Sequence, residues 1–283
     1  METVFPVNGV RLGIASAGIK KVGRKDLVII ELAPGTATAA VFTRNDFCAA
    51  PVVLARQHLS QAAPRYLMIN TGNANAGTGE SGLLAASATV RALAERVGCA
   101  EEEVLPFSTG VIGEPLPIDK LVAAQAPALA DLHEDHWQTA AEGIMTTDTR
   151  PKVASVQIPF GDHYFSITGI TKGAGMIRPN MATMLSFVAT DLAIAPALLK
   201  VALSRAVEQS YHRITIDGDT STNDACTLSA TGASSLPPIS SESDPLYLHF
   251  CDALESLLYR WLRRWFAMVR AQQSFSKSRY TGG

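Results

Sequence analysis

Short β-branched runs alternate along this chain with longer stretches of helical periodicity, and turns containing Gly or Pro separate them. Such alternation restricts the chain to a layered α/β architecture, because each half-apolar element must cover its apolar side with another. DLVIIEL (26–32) and TATAAVF (36–42) flank Ala33-Pro34-Gly35, which predicts a β-hairpin. YLMIN (66–70) predicts a buried strand running into the small-residue loop Thr71–Gly77. After Thr78 and Ser81, the spacing of Leu83, Val90, Leu93, Ala94 and Val97 predicts a helix closed by Gly98 at its C′ position. Further helices are expected from about Pro117-Ile118-Asp119, from near His133, and over 196–211, where Pro196 suits a first turn. VASVQIPF and YFSITGI predict paired strands turning at Gly161-Asp162. The reading is one continuous layered domain to about residue 250, without internal repeats.

A length of 283 residues with 47% hydrophobic side chains is ample for a core, and 18% charged residues is the balance of a folded chain. No run of 18 apolar residues exists to span a bilayer, and the first residues lack the basic and apolar regions of a secretion signal. Cys48, Cys99, Cys226 and Cys251 are far apart with no CxxC pair, which argues against a disulfide framework and a zinc site. The expectation is a cytoplasmic protein with neither a nucleic-acid nor a membrane partner. A net charge of −2 hides an asymmetry. Residues 1–255 carry all 26 acidic and 18 of the 24 basic side chains, whereas 256–283 carry six basic residues, no acid and two of the three tryptophans.

The densest chemistry lies in KGAGMIRPNMATML (172–185). Its glycines and Lys172 lack the spacing of a phosphate-binding P-loop. The loop ends with a small residue, Ala182, before a hydroxyl residue, Thr183, at the start of an apolar strand. That order suits a self-cleaving peptide bond. Attack of the Thr183 hydroxyl on the Ala182 carbonyl would give an ester whose hydrolysis leaves Thr183 as a new N-terminus. Its α-amine, with an ordinary pKa of about 7.7–8, could then serve the same residue's hydroxyl as general base. Asp217-Gly218-Asp219 with Asn223-Asp224 invites a calcium-loop reading, but lacks the remaining ligands and closing Glu of an EF-hand; a structural turn is preferred and no metal is expected.

KGAGMIRPNMATML resembles the cleavage-site motif of the ornithine acetyltransferase family of arginine biosynthesis, the glutamate N-acetyltransferases, bifunctional in some members. GIKKVGRKDLVIIEL, TAAVFTRNDFCAAPV, INTGNANAGTGESGL, LPFSTGVIGEPLP, GIMTTDTRPK and TIDGDTSTNDA resemble the same family in the same order, from about residue 7 to 232. The resemblance implies a layered α/β sandwich of the N-terminal-nucleophile kind, made as a self-cleaving precursor. It implies an α chain over 1–182 and a β chain beginning at 183, assembled as an α2β2 heterotetramer. Thr183 would be the nucleophile that carries an acetyl group from N-acetylornithine to glutamate. Thr109 and Gly110 would form the oxyanion hole, and Thr146 and Lys172, with Thr183, would bind substrate. The adjacent Thr147 leaves the register of the Thr146 contact open by one residue. No cofactor is implied; acetyl-CoA enters only as a substrate of bifunctional members. An amidohydrolase with the same nucleophile device remains an alternative.

After CDALESL (251–257) the resemblance stops. The family continues as a helix and then close to VRDGEGATKF, whose Glu contacts substrate. From the last base of the Trp265 codon, Phe266–Phe275 can be encoded so that the adjacent frame reads VRDGEGATKF. Residues from roughly 256–261 to 283 are therefore expected to be a frameshifted tail, and the chain a damaged, inactive product is the second functional alternative. The rival account is an amphipathic helix, YRWLRRWFAMVR, docking on an anionic membrane.

Overall fold

The computed structural model describes residues 3–173, 184–210 and 221–261. Strands β1 (Val10–Ala15), β2 (Leu27–Leu32), β4 (Tyr66–Asn73) and β5 (Val104–Val111) form one sheet in the order β1-β2-β4-β5. Strands β3 (Ala37–Phe42), β6 (Lys152–Phe160), β7 (His163–Lys172), β8 (Leu185–Thr190) and β9 (Ala225–Ala230) form a second, in the order β3-β9-β8-β7-β6. Neighbouring strands are antiparallel except β4 with β5 and β8 with β9. Each parallel pair is separated in sequence by a helix, α2 (Gly79–Val97) and α5 (Pro196–Gln209), as parallel pairing requires a crossover.

The strand residues sort by parity. Val28, Ile30 and Leu32 of β2 point into a core shared with Leu185, Phe187 and Ala189 of β8, so the two sheets pack face to face. Leu27 and Ile29 point the other way, onto α2 and α3 (Ile118–Ala130). On the far side of the second sheet, Val188 and Leu228 meet α5 and a helix over 245–261, here α6. The order of layers is helix, sheet, sheet, helix. Between the sheets Phe107 and Phe187 meet edge to face, with centroids 5.0 Å apart. Each fully buried Leu, Ile or Phe contributes roughly 1.5–3 kcal/mol, so the three cores outweigh any local preference. Two further helices, α1 (Ala50–Gln61) and α4 (Trp137–Gly143), and a 3-10 turn at Glu101–Glu103 complete the described elements.

The α/β class, α2 with Gly98 in the left-handed conformation at its end, and α5 beginning at Pro196 follow the sequence reading. So does the β6–β7 hairpin, which pairs Phe160 with His163. The hairpin across Ala33-Pro34-Gly35 does not form. The turn is present, with Thr36 N–H bonded to the Ala33 carbonyl at 3.2 Å, but it passes the chain from one sheet to the other. β2 pairs with β1 and β4, and β3 pairs with β9. The helix expected near His133 starts instead at Trp137, because His133 exchanges two backbone hydrogen bonds with Leu12. Nor does the packed domain end near 250: Leu254, Leu257, Leu258 and Trp261 are fully buried on the second sheet. Trp261 lies flush on β7 at Gly169, where an added Cβ would come within 2.9 Å of its ring. That tryptophan belongs to the core and is not presented to a membrane surface.

Candidate active site

One end of the sandwich opens into a cavity of about 610 Å³ between the two sheets. The ends of β4 and β5 supply Thr71, Gly72, Thr109 and Gly110, and the end of β7 supplies Lys172. Met184 and Leu185 enter at the start of β8, and Ser221–Asp224 enter just before β9. Thr146 and Thr147 follow α4, and the segment before β2 adds Lys20, Lys21, Arg24 and Asp26. Parallel strands begin together and end together, so β4 and β5 bring their C-terminal ends, and β8 and β9 their N-terminal starts, to one place.

The β5 end is shaped by a register shift opposite Gly72 and Asn73. A bulge of this kind interrupts the ladder and re-aims the residues beside it. Gly110 has φ +141°, and a Cβ there would stand 2.2 Å from the Gly72 carbonyl carbon, so only glycine fits. Thr109 is buried, and its hydroxyl makes no hydrogen bond among the described residues. Asn223 fixes the approach of β9: its amide donates to the Ala74 carbonyl at 2.7 Å and the Ser108 carbonyl at 3.0 Å. Ser108 in turn donates to Asn70 Oδ1 at 2.5 Å, and Asn70 donates to the Asn73 carbonyl at 2.8 Å.

Three acids, Asp26, Asp148 and Asp224, and two lysines, Lys152 and Lys172, are buried at or beneath the cavity. Lys172 is 5% exposed, and its ammonium makes no hydrogen bond or ion pair to the described residues. Burial pushes its ammonium below the ordinary lysine range, opposed by Asp148 and Asp224 and reinforced by Lys152. Asp224 is 1% exposed, and burial pushes its carboxyl up to about 7 against the Ser221 hydroxyl, the Met184 amide and Lys172. Its Oδ1 accepts from Met184 N–H at 2.8 Å, while its buried Oδ2 has no hydrogen bond of normal geometry among the described residues. Asp148 differs: burial alone would raise it, but the contacting Lys152 and the Gly173 amide hold it low. Asp26 spends its carboxylate on the Ala17 and Ile19 amides, which shapes the cationic segment at the mouth.

Of the residues singled out from sequence, Thr109, Gly110, Thr146 and Lys172 share this cavity, and Thr147 lines it as well. Ala182, Thr183, Asp217 and Asp219 lie outside the described residues. Met184, next in the chain after Thr183, lines the cavity. Asn223 and Asp224, read from sequence as a turn near the site, are part of it. Among the described residues no three His, Cys, Asp or Glu side chains cluster to hold a metal. The segment Lys20–Asp26 and the Asp148–Lys152 pair were not legible as site residues; their only signal was membership of the words GIKKVGRKDLVIIEL and GIMTTDTRPK.

The ArgJ family model matches residues 11–263. The chain belongs to the ArgJ family. The arginine biosynthesis bifunctional protein ArgJ of Pseudomonas fluorescens is 55% identical over 87% of this chain and 61% of that protein. Its counterpart in Psychrobacter arcticus is 49% identical over the whole chain and 69% of that protein. The chain thus spans about two thirds or less of these curated relatives. Among solved structures, the ornithine acetyltransferase of Mycobacterium tuberculosis in complex with ornithine superposes with a TM-score of 0.57 at 36% identity, covering 64% of this chain and 94% of that one. The L-aminopeptidase D-Ala-esterase/amidase of Ochrobactrum anthropi, a variant of the N-terminal-nucleophile hydrolase fold, superposes with a TM-score of 0.51 at 15% identity, covering 92% of this chain and 87% of that one. The architecture is therefore of the N-terminal-nucleophile kind. No helix among the described residues is long and apolar enough to cross a membrane.

Proposed function

We propose that this ArgJ-family chain transfers an acetyl group from N-acetylornithine to glutamate through an acetyl ester on Thr183. The observation that carries the reading is the convergence of Thr109, Gly110, Thr146, Lys172 and Met184, from separate segments, on one cavity rimmed by Lys20, Lys21 and Arg24. Both substrates are carboxylates, and a buried ammonium with no hydrogen bond or ion pair to the described residues suits them. The precursor cleaves itself first. Thr183 Oγ attacks the Ala182 carbonyl carbon, the Ala182–Thr183 C–N bond breaks and the nitrogen takes the hydroxyl proton. Water then hydrolyses the ester, leaving chains of 182 and 101 residues. In turnover the Thr183 amine takes the hydroxyl proton as Oγ attacks the acetyl carbonyl, and ornithine leaves with that proton. The glutamate amine then attacks the ester, and Oγ recovers a proton. Thr109 and the Gly110 amide stabilise the tetrahedral oxygen, each donor being worth about 3 kcal/mol. The pieces pair as α2β2 in the cytoplasm. Neither metal nor cofactor is required, and acetyl-CoA serves as a second acetyl donor if the chain is bifunctional.

The experiment is incubation of purified protein with N-acetylornithine, with and without glutamate. Acetylglutamate forming only with glutamate supports transfer; acetate released equally in both identifies an amidohydrolase instead. N-terminal sequencing should find a second chain beginning Thr-Met-Leu-Ser.

The agreement of Phe266–Phe275 with VRDGEGATKF in the adjacent frame favours a second reading, in which the chain is a frame-changed and inactive product. The buried helix running through Trp261 and the family match running to 263 favour a frame change after, not before, Trp261. Resequencing the gene across codons 256–266 tests it; codons incompatible with that peptide remove the idea.

A further inference from the structure

The buried ion pair beneath the cavity has no role in the chemistry above. Asp148 and Lys152 are in direct contact, with side chains 0% and 5% exposed. Four residues apart, they sit on the irregular loop after α4 and at the start of β6, not on one helix face, so helical spacing does not explain the pairing. Their remaining hydrogen bonds go to the two substrate segments. Asp148 Oδ1 accepts from Gly173 N–H at 2.9 Å, and Lys152 Nζ donates to the Gly173 carbonyl at 3.0 Å. Both backbone groups of the residue that follows Lys172 are therefore held by one ion pair. Asp148 Oδ2 faces Thr146 N–H at 3.4 Å, which brings the second substrate segment to the same carboxylate.

We propose that Asp148 and Lys152 are positioning residues that clasp Gly173 and Thr146, so that Lys172 and Thr146 present to one bound carboxylate substrate. The inference rests on the reading of Lys172 and Thr146 as substrate contacts. Gly173 has φ +149° and follows Lys172, the last residue of β7, so no strand pairing among the described residues fixes its orientation. A neutral pair of the same size would fill the space without supplying the acceptor or the donor that Gly173 uses.

The test is calorimetric titration of the full chain with N-acetylornithine, for the wild type, Lys172→Ala, Lys152→Arg and the double variant Asp148→Leu/Lys152→Met. Replacing both charges with apolar groups of similar volume avoids leaving either one unpaired in the interior. The double variant is expected to keep its melting temperature within a few degrees and to bind about tenfold more weakly, the loss of one charge-assisted hydrogen bond. Lys152→Arg, which keeps a cation and a donor there, binds more tightly than the double variant. A folded double variant with wild-type affinity, beside a weakened Lys172→Ala, overturns the clasp alone. Absence of binding by the wild type, or wild-type affinity in Lys172→Ala, removes the reading of Lys172 and the clasp with it. Should the double variant fail to fold, Asp148→Asn/Lys152→Met decides, because it leaves no charge unpaired and removes the donor to the Gly173 carbonyl: weakened binding supports the clasp and wild-type affinity overturns it.

Discussion

The two buried acid–lysine sets at this site are treated oppositely by the fold. Asp148 and Lys152 touch, their hydrogen bonds are spent on Gly173 and Thr146, and the acid is held low. Lys172 and Asp224 are equally buried, make no ion pair with each other, and shift in the directions that favour neutral forms. The first set is saturated by protein groups and acts as structure. The second is left under-satisfied next to open space, which is the condition in which a ligand can supply the missing partner.

That difference is broken most severely by removing one member of the saturated pair. Lys152→Met leaves Asp148 as an uncompensated buried carboxylate and should cost about 3–5 kcal/mol in denaturant unfolding. Lys172→Met should leave stability unchanged or raise it, because burial already penalises that ammonium. Equal losses for the two variants would show that both lysines are structural.

Asp224 gives the next largest effect and its sign is fixed. Its carboxyl titrates near 7 in the fold instead of 3.8, so the folded state binds the proton more tightly than the unfolded chain does. The stability this confers is complete below about pH 4 and is lost as pH rises through 7, by at most about 4 kcal/mol. Asp224→Asn should remove that slope, and stability measured from pH 4 to 8 should be flatter than in the wild type. A variant with an unchanged slope would assign the pH dependence to another group.

How far the sequence foretold this contrast depends on the kind of signal. Elements set by local pattern were readable: β2 is a short, nearly continuous apolar run, β7 is rich in β-branched residues, and α2 and α5 carry the spacing and termini of helices. The turn at Ala33-Pro34-Gly35 was readable as a turn, but a turn does not say which sheet the next strand joins; β9, almost two hundred residues on, decides that. Of the cavity lining, Thr109, Gly110, Thr146 and Lys172 were singled out from sequence because they are embedded in distinctive words. The Asp148–Lys152 clasp was not, because its meaning lies in the backbone of Gly173 on another strand. Asp224 looks in sequence like any acid in a polar turn, and only burial beside Met184 N–H makes it unusual.

Asn223 sharpens the comparison from the side of the saturated groups. Its amide bridges the Ala74 and Ser108 carbonyls across the sheets, so Asn223→Ala strands two buried acceptors. A loss of about 1–3 kcal/mol is expected. If transfer is active, a fall in kcat should accompany it, because Ser108 precedes Thr109. A variant losing stability with kcat intact would mean that the bridge supports the sheets without setting the β5 end.

The smallest effect separates two neighbours that both line the cavity. Thr146 N–H is drawn to Asp148 Oδ2, whereas no such tie to the clasp is made by Thr147. If the saturated pair exists to place the under-satisfied site, the tethered threonine is the one whose hydroxyl is held ready for substrate. Thr146→Ala should then weaken N-acetylornithine binding by the worth of one neutral hydrogen bond, about 0.5–1.5 kcal/mol, and Thr147→Ala by less. In the double variant lacking the ion pair, Thr146→Ala should cost almost nothing further, since the hydroxyl it removes is already misplaced. Additive losses in that double-mutant cycle would show that Thr146 reaches substrate without help from Asp148.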